Sequence, residues 1–192
     1  MKIGVLALQG AFIEHIRLLE ALGAECVELR QLADIRQKLD GIVLPGGEST
    51  AQAKLLHELG MFEPLRQLIK NGVPVLATCA GMILLAEKLS NDEAVHLATM
   101  PITVKRNAYG RQLGSFRTIA ECAGLGQIPM TFIRAPYIEN VGAGVDVLAV
   151  VDGKIVAAQY KKQLALAFHP ELDAEAGSRV HQYFLRLCED NK

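Results

Sequence analysis

Residues 2–8 (KIGVLAL) are almost wholly apolar, the pattern of a parallel strand covered on both faces. After Gln9-Gly10 turns the chain, Phe12, Ile16, Leu19 and Leu22 fall at helical spacing, and Gly23 ends that helix. Residues 26–29 predict a second strand, Ile35 and Leu39 a short helix, and residues 41–44 a third strand. Leu55, Leu56 and Leu59 mark one helix, and Phe62, Leu65, Leu68 and Ile69 another. A fourth strand over 73–78 runs into the small residues Thr78-Cys79-Ala80-Gly81, and Met82, Leu84, Leu85, Ala86 and Leu89 then follow a helical pattern. Strands alternating with helices predict a parallel sheet with right-handed crossovers.

The pattern changes after Leu89. Short strands are expected at 96–98, 102–104, 115–119, 131–133, 147–151, 154–159 and 164–168, with a hairpin signal at Asp152-Gly153. A last amphipathic helix over 174–188 places Val180, Tyr183, Phe184 and Leu187 on one face. The expected fold is therefore three-layer α/β, with antiparallel strands added to a mostly parallel central sheet. No repeat, low-complexity tract or linker divides residues 1–192, so a single domain is expected.

Composition narrows the function classes. Hydrophobic residues make up 51% of the chain and charged residues 21%, which is globular rather than disordered. The net charge is −1 and no basic run occurs, so neither nucleic acid nor a membrane is the expected partner. No apolar stretch has membrane-spanning length, and the N-terminus enters a strand without a signal-peptide pattern. Cys26, Cys79, Cys122 and Cys188 form no CxxC pair, and His15, His57, His96, His169 and His181 are scattered. Neither a metal site nor a disulfide framework is expected, and the setting is read as reducing and cytoplasmic.

Three stretches carry candidate chemistry. Cys79 lies at a strand-to-helix corner, where a thiol is accessible and close to the positive end of a helix. Two readings fit it: a nucleophile, or a core cysteine. His169-Pro170-Glu171 follows a strand, so Glu171 can orient the imidazole; a surface histidine beside a solvated glutamate fits as well. Pro45-Gly46-Gly47-Glu48-Ser49 ends the third strand. It is either a loop whose N–H groups stabilise an oxyanion or a turn capped by Ser49. It lacks the lysine of a phosphate-binding loop. Together the three supply an oxyanion donor, a nucleophile, a base and its orienter, the set needed for acyl transfer.

PGGEST (45–50), TCAG (78–81) and FHPE (168–171) resemble the triad-type, class I glutamine amidotransferases, which have a flavodoxin-like fold. LALQGAF (6–12), KRNAYGRQ (105–112) and FIRAP (132–136) are similar to the glutaminase subunits of pyridoxal 5′-phosphate synthase, and the likeness spans essentially the whole chain. The family elbow usually has glycine two residues before the cysteine, where Ala77 stands here. The resemblance implies hydrolysis of L-glutamine to glutamate and ammonia by Cys79, His169 and Glu171, without a cofactor. It implies an oxyanion hole at Gly47 and Ala80, and a glutamine pocket lined by Gly47, Glu48, Ser49, Arg106, Ile133 and Arg134. The two arginines suit a substrate carboxylate, or equally a structural ion pair. The implied partner is a (β/α)8-barrel synthase subunit, in a complex of twelve synthase and up to twelve glutaminase subunits. Other amidotransferase subunits, a cysteine hydrolase acting on another substrate and a non-enzymatic binding subunit are the competing readings.

Overall fold

The computed structural model describes residues 1–107 and 114–189. The first half alternates as expected: β1 (Lys2–Leu6), α1 (Phe12–Ala21), β2 (Glu25–Leu29), α2 (Leu32–Ile35), β3 (Gly41–Leu44), α3 (Ser49–Glu58), α4 (Phe62–Lys70), β4 (Val75–Thr78) and α5 (Ala80–Leu85). The second half is mostly strand: β5 (Ala86–Leu89), β6 (Met100–Lys105), β7 (Ser115–Cys122), β8 (Gly126–Ile133), β9 (Tyr137–Val141), β10 (Val145–Val151), β11 (Lys154–Tyr160) and β12 (Gln163–Leu166). A 3₁₀ turn (Pro170–Leu172) and α6 (Ala174–Glu189) complete the described chain.

The main sheet runs β2-β1-β3-β4-β12-β11-β9-β6-β5, with β10 also paired to β11. β2, β1, β3, β4 and β12 are mutually parallel neighbours, whereas β11 pairs antiparallel with β12, β9 and β10. The first five strands thus follow the flavodoxin-like order, and antiparallel strands extend the sheet on one side. Val75, Leu76, Ala77 and Thr78 are all fully buried, as are Leu164, Ala165 and Leu166. Successive side chains point to opposite faces, so both faces of these strands are covered. The helices pack in two groups, α1 with α6, and α2, α4, α3 and α5 in succession. β7 and β8 form a separate two-stranded ribbon against β10 and α6.

Three expectations change. The helix after Cys79 stops at Leu85 instead of continuing to Leu89, and Ala86–Leu89 joins the sheet beside β6. The reason is competition for acceptors: the Leu84 and Leu85 carbonyls accept N–H groups from Leu97 and Thr99, at 2.9 and 3.0 Å. Another helical turn would need those carbonyls. Residues 96–98 are no strand, because Ala98 has φ of 48°, outside the extended region. β9 lay unrecognised between the strands read at 131–133 and 147–151; it pairs antiparallel with β6.

α5 reaches the sheet so closely that one position admits only glycine. A Cβ on Gly81 would lie 2.0 Å from the Leu44 carbonyl oxygen of β3. Gly81→Ala should therefore force α5 off β3 and destabilise the protein by more than about 2 kcal/mol. The expected readout is a lower urea midpoint with an unchanged m-value.

Candidate active site

β4 delivers Cys79 to the carboxyl edge of the sheet, between the ends of β3 and β12. The backbone turns abruptly there, with φ of 48° and ψ of −100° at Cys79 itself. Such a conformation costs a non-glycine residue about 1–3 kcal/mol and persists only when its surroundings fix it. Two bonds do so: the Cys79 N–H donates to the Leu166 carbonyl at 2.8 Å, and the Cys79 carbonyl accepts from Ile83 N–H at 3.3 Å. Ala77 is an ordinary buried strand residue of β4, and the positive φ falls two residues later. The departure from the family glycine therefore places no strain on Ala77.

His169 arrives from the end of β12. Its N–H donates to the Thr131 carbonyl of β8 at 2.8 Å, and Phe168 packs edge-on to Phe132 of β8. The imidazole lies close enough to Gly46 that a Cβ there would sit 2.3 Å from His169 Cε1. His169 Nδ1 and Glu171 Oε1 share a hydrogen bond of 2.6 Å, and Cys79 lines the same cavity beside the ring. Burial alone would lower the pKa of His169. The hydrogen bonds and charges of Cys79 and Glu171 outweigh it and raise the value to about 10. The histidine is thus held as an imidazolium between a sulfur and a buried carboxylate.

A cavity of about 440 Å³ opens over Cys79 and His169. All six residues expected to bind substrate line it: Gly47, Glu48, Ser49, Arg106, Ile133 and Arg134. Ala80 opens α5 beside Cys79, and Glu171 is buried behind His169. Asn107 and Pro136 also line the cavity and were not anticipated. Of the KRNAYGRQ stretch, residues 108–112 lie outside the described residues.

The lining residues divide by what already holds them. Glu48, rather than Ser49, caps α3, accepting the N–H groups of Thr50 and Ala51 at 3.0 and 2.7 Å. Burial works against its charge, but these N–H groups and Arg106 hold it below the usual carboxylate range. Arg106 is occupied: it pairs with Asp92 at 2.5 Å and Glu48 at 3.3 Å, and donates to Thr50 at 3.2 Å. Arg134 has φ of 45°, and among the described residues no carboxylate pairs with it. The buried Ser49 hydroxyl likewise has no hydrogen-bond partner among the described residues. The Arg134 guanidinium is therefore uncommitted beside the cavity, and the Ser49 hydroxyl lies buried in its wall without a partner among the described residues.

The loop beside Cys79 is tied to the start of the chain. Gln9 Oε1 accepts the Glu48 N–H at 2.6 Å, and the Gly46 carbonyl accepts the Ala11 N–H at 3.0 Å. Behind Glu171 the scattered histidines also converge: His15 Nδ1 lies 2.8 Å from His181 Nε2, and His15 Nε2 lies 3.4 Å from Glu171 Oε2. The signal was faint but present, since each polar ring stands on the apolar face of its helix, beside Ile16 and Leu19 or Val180 and Phe184. No group of three or more His, Cys, Asp or Glu side chains among the described residues is placed to hold a metal ion.

Comparison with known proteins agrees with this geometry. The model of the SNO glutamine amidotransferase family matches residues 5–190. The chain is 62% identical to the "Pyridoxal 5'-phosphate synthase subunit PdxT" of Desulfitobacterium hafniense (strain Y51), covering 100% of this chain and 96% of the relative. It is 55% identical to the protein of the same name from Streptococcus pneumoniae serotype 2, covering 99% of each. A crystal structure of a glutamine amidotransferase superposes with a TM-score of 0.90 at 41% identity, over 97% of this chain and 98% of that one. With a cysteine–histidine–glutamate arrangement at the strand ends and likeness across its length, the chain belongs to the SNO glutamine amidotransferase family.

Proposed function

We propose that the chain hydrolyses L-glutamine to L-glutamate and ammonia, and delivers the ammonia to a synthase subunit that makes pyridoxal 5′-phosphate. The observation that carries this reading is His169, bonded to the buried Glu171 at 2.6 Å, sharing with Cys79 the floor of a cavity that an uncommitted arginine also lines. Cys79 Sγ attacks the side-chain amide carbon, and the proton on His169 passes to the departing nitrogen as the C–N bond breaks. Water then gives a proton to His169 and attacks the thioester, releasing glutamate and restoring the thiolate. Glu171 holds the imidazole in one tautomer and balances its charge throughout. Backbone N–H groups at Gly47 and Ala80 take up the oxyanion, a contribution of about 3 kcal/mol when well aimed.

Arg134 receives the substrate α-carboxylate and Ser49 offers it a hydroxyl, whereas Arg106 braces Glu48 at the rim. The partner follows from the relatives, which are named as subunits of a synthase. It is the (β/α)8-barrel subunit of that synthase, and docking acts through Gln9-Gly10 and Gly46-Gly47, because the bonds from Glu48 N–H to Gln9 Oε1 and from Ala11 N–H to the Gly46 carbonyl set the loop beside Cys79. Among the described residues no helix is long and apolar enough to cross a membrane. Ammonia made for a partner instead of for release needs a tight contact with that partner, and the loop bonds offer a means of withholding activity until it forms.

The decisive measurement is ammonia release from glutamine with and without the synthase subunit. Native protein should respond to the partner, and Cys79→Ala should lose more than about a thousandfold in kcat while keeping its melting temperature. A native protein that releases no ammonia with the partner present would refute the function. Arg134→Met should raise the KM for glutamine about ten- to hundredfold, as expected when a charge-assisted bond to a carboxylate is lost, with a much smaller change in kcat. In kcat/KM the imidazolium must be present, so activity should fall as pH rises through about 10, the pKa of His169.

A further inference from the structure

His15 and His181 are fully buried and have no part in the chemistry above. Their hydrogen bonds have a single possible direction. The Gly177 carbonyl, 2.7 Å from His181 Nδ1, can only accept, so His181 carries its proton on Nδ1. His181 Nε2 then accepts from His15 Nδ1 across 2.8 Å. His15 Nε2 is left with a lone pair, 3.3 Å from the Thr78 hydroxyl, and Thr78 Oγ1 itself accepts the Gly46 N–H at 3.0 Å. Burial keeps both rings neutral: it lowers His181 to about 4 and His15 well below its ordinary value, with the charge of His169 adding to the effect on His15. A one-way chain therefore runs from Gly46 through Thr78, His15 and His181 to Gly177.

The chain passes beside the triad. His15 Nε2 stands 3.4 Å from Glu171 Oε2, the carboxylate oxygen that has no hydrogen-bond partner among the described residues. Facing it with a lone pair, neutral His15 cannot donate to it. The ionisable groups that face His15 are His181 from α6, and Glu171 and His169 from the segment after β12.

We propose that His15 is a positioning residue for the glutaminase reaction. Through Thr78 it fixes the Gly46 N–H of the loop beside Cys79, and it leaves the second oxygen of Glu171 without a donor, so that the carboxylate's charge acts on His169. This explains why two neutral rings are buried behind a charged one, and why the residue before the nucleophile carries a hydroxyl. It rests on the assignment of Cys79, His169 and Glu171 given above.

The test uses the assembled complex with the synthase subunit and reads kcat and KM for glutamine across pH. His15→Asn keeps an amide for His181 but withdraws the acceptor from Thr78. It should lower kcat about ten- to hundredfold, the range for residues that orient a reacting group, with KM within about twofold. Thr78→Val breaks the same chain one link on. It should lower kcat similarly, and the double variant should be no worse than either single one. His15→Gln places an N–H against Glu171, so the alkaline limit of kcat/KM, near 10 in the native protein, should fall by about one pH unit.

Native kcat in His15→Asn and Thr78→Val would overturn the proposal. So would losses that add in full with the alkaline limit unmoved, which would make His15 a packing residue. If His15→Asn does not fold, Thr78→Val and His15→Gln decide the matter by the same readouts. Cys79→Ala run alongside keeps the two readings apart. Activity in that variant would sink the triad assignment, whereas a dead Cys79→Ala beside fully active His15 variants would remove only the role of His15.

Discussion

The parallel pairing of β4 with β3 on one side and β12 on the other is the constraint from which the site follows. Leu44 is opposite Ala77, and Thr78 is opposite Leu166, so the three strands end almost level. Chain leaving them must emerge at one edge, bringing Gly46, Cys79 and His169 together. The Cys79 N–H extends the pairing by one bond, to Leu166, while its carbonyl already serves the helix. A residue shared in this way between a strand and a helix has its backbone determined from both sides. That is how the positive φ at Cys79 is sustained, and the bare face of Gly81 lets α5 lie close enough to hold it.

Local pattern made the first half of the chain legible because β1, β3 and β4 are buried on both faces, while α1, α3 and α4 are buried on one. Each therefore announces itself within a few residues. The errors came where a distant partner decided the outcome. Ala86–Leu89 has a helical composition, but Leu97 and Thr99 take the carbonyls that a helix would have used. β9 is short and mixed, and its identity lies in its pairing with β6. The site was legible for a related reason. Its parts are three contiguous motifs at strand ends, and parallel-sheet topology implies that strand ends meet. What joins Glu171 to the rest was not legible, since His15 and His181 are separated by 166 positions and no local spacing records their contact.

Three histidines within one buried cluster reach different charge states, and each outcome follows from its neighbours. His181 meets a carbonyl and another ring, neither of which repays the loss of water, and it stays neutral. His15 adds the repulsion of His169 to the same penalty. His169 is nearly as enclosed, yet it meets the Cys79 sulfur and the Glu171 carboxylate, and their influence reverses the balance. Composition treats these residues alike; the sheet edge separates them.

A hydrogen-bond chain whose direction is fixed at one end by a carbonyl has no second arrangement with neutral rings, because each ring donates once and accepts once. Thr78 must then turn its hydroxyl toward His15, which leaves its lone pairs for the Gly46 N–H. Gly46 is held on its other side by Ala11, and Gln9 holds Glu48. The loop beside Cys79 is thus gripped from behind by α1 through His15 and Thr78, and from the front by the turn that leads into α1. Any event that shifts the start of α1 reaches the Gly46 loop and the surroundings of Glu171 together, so the two have no independent settings.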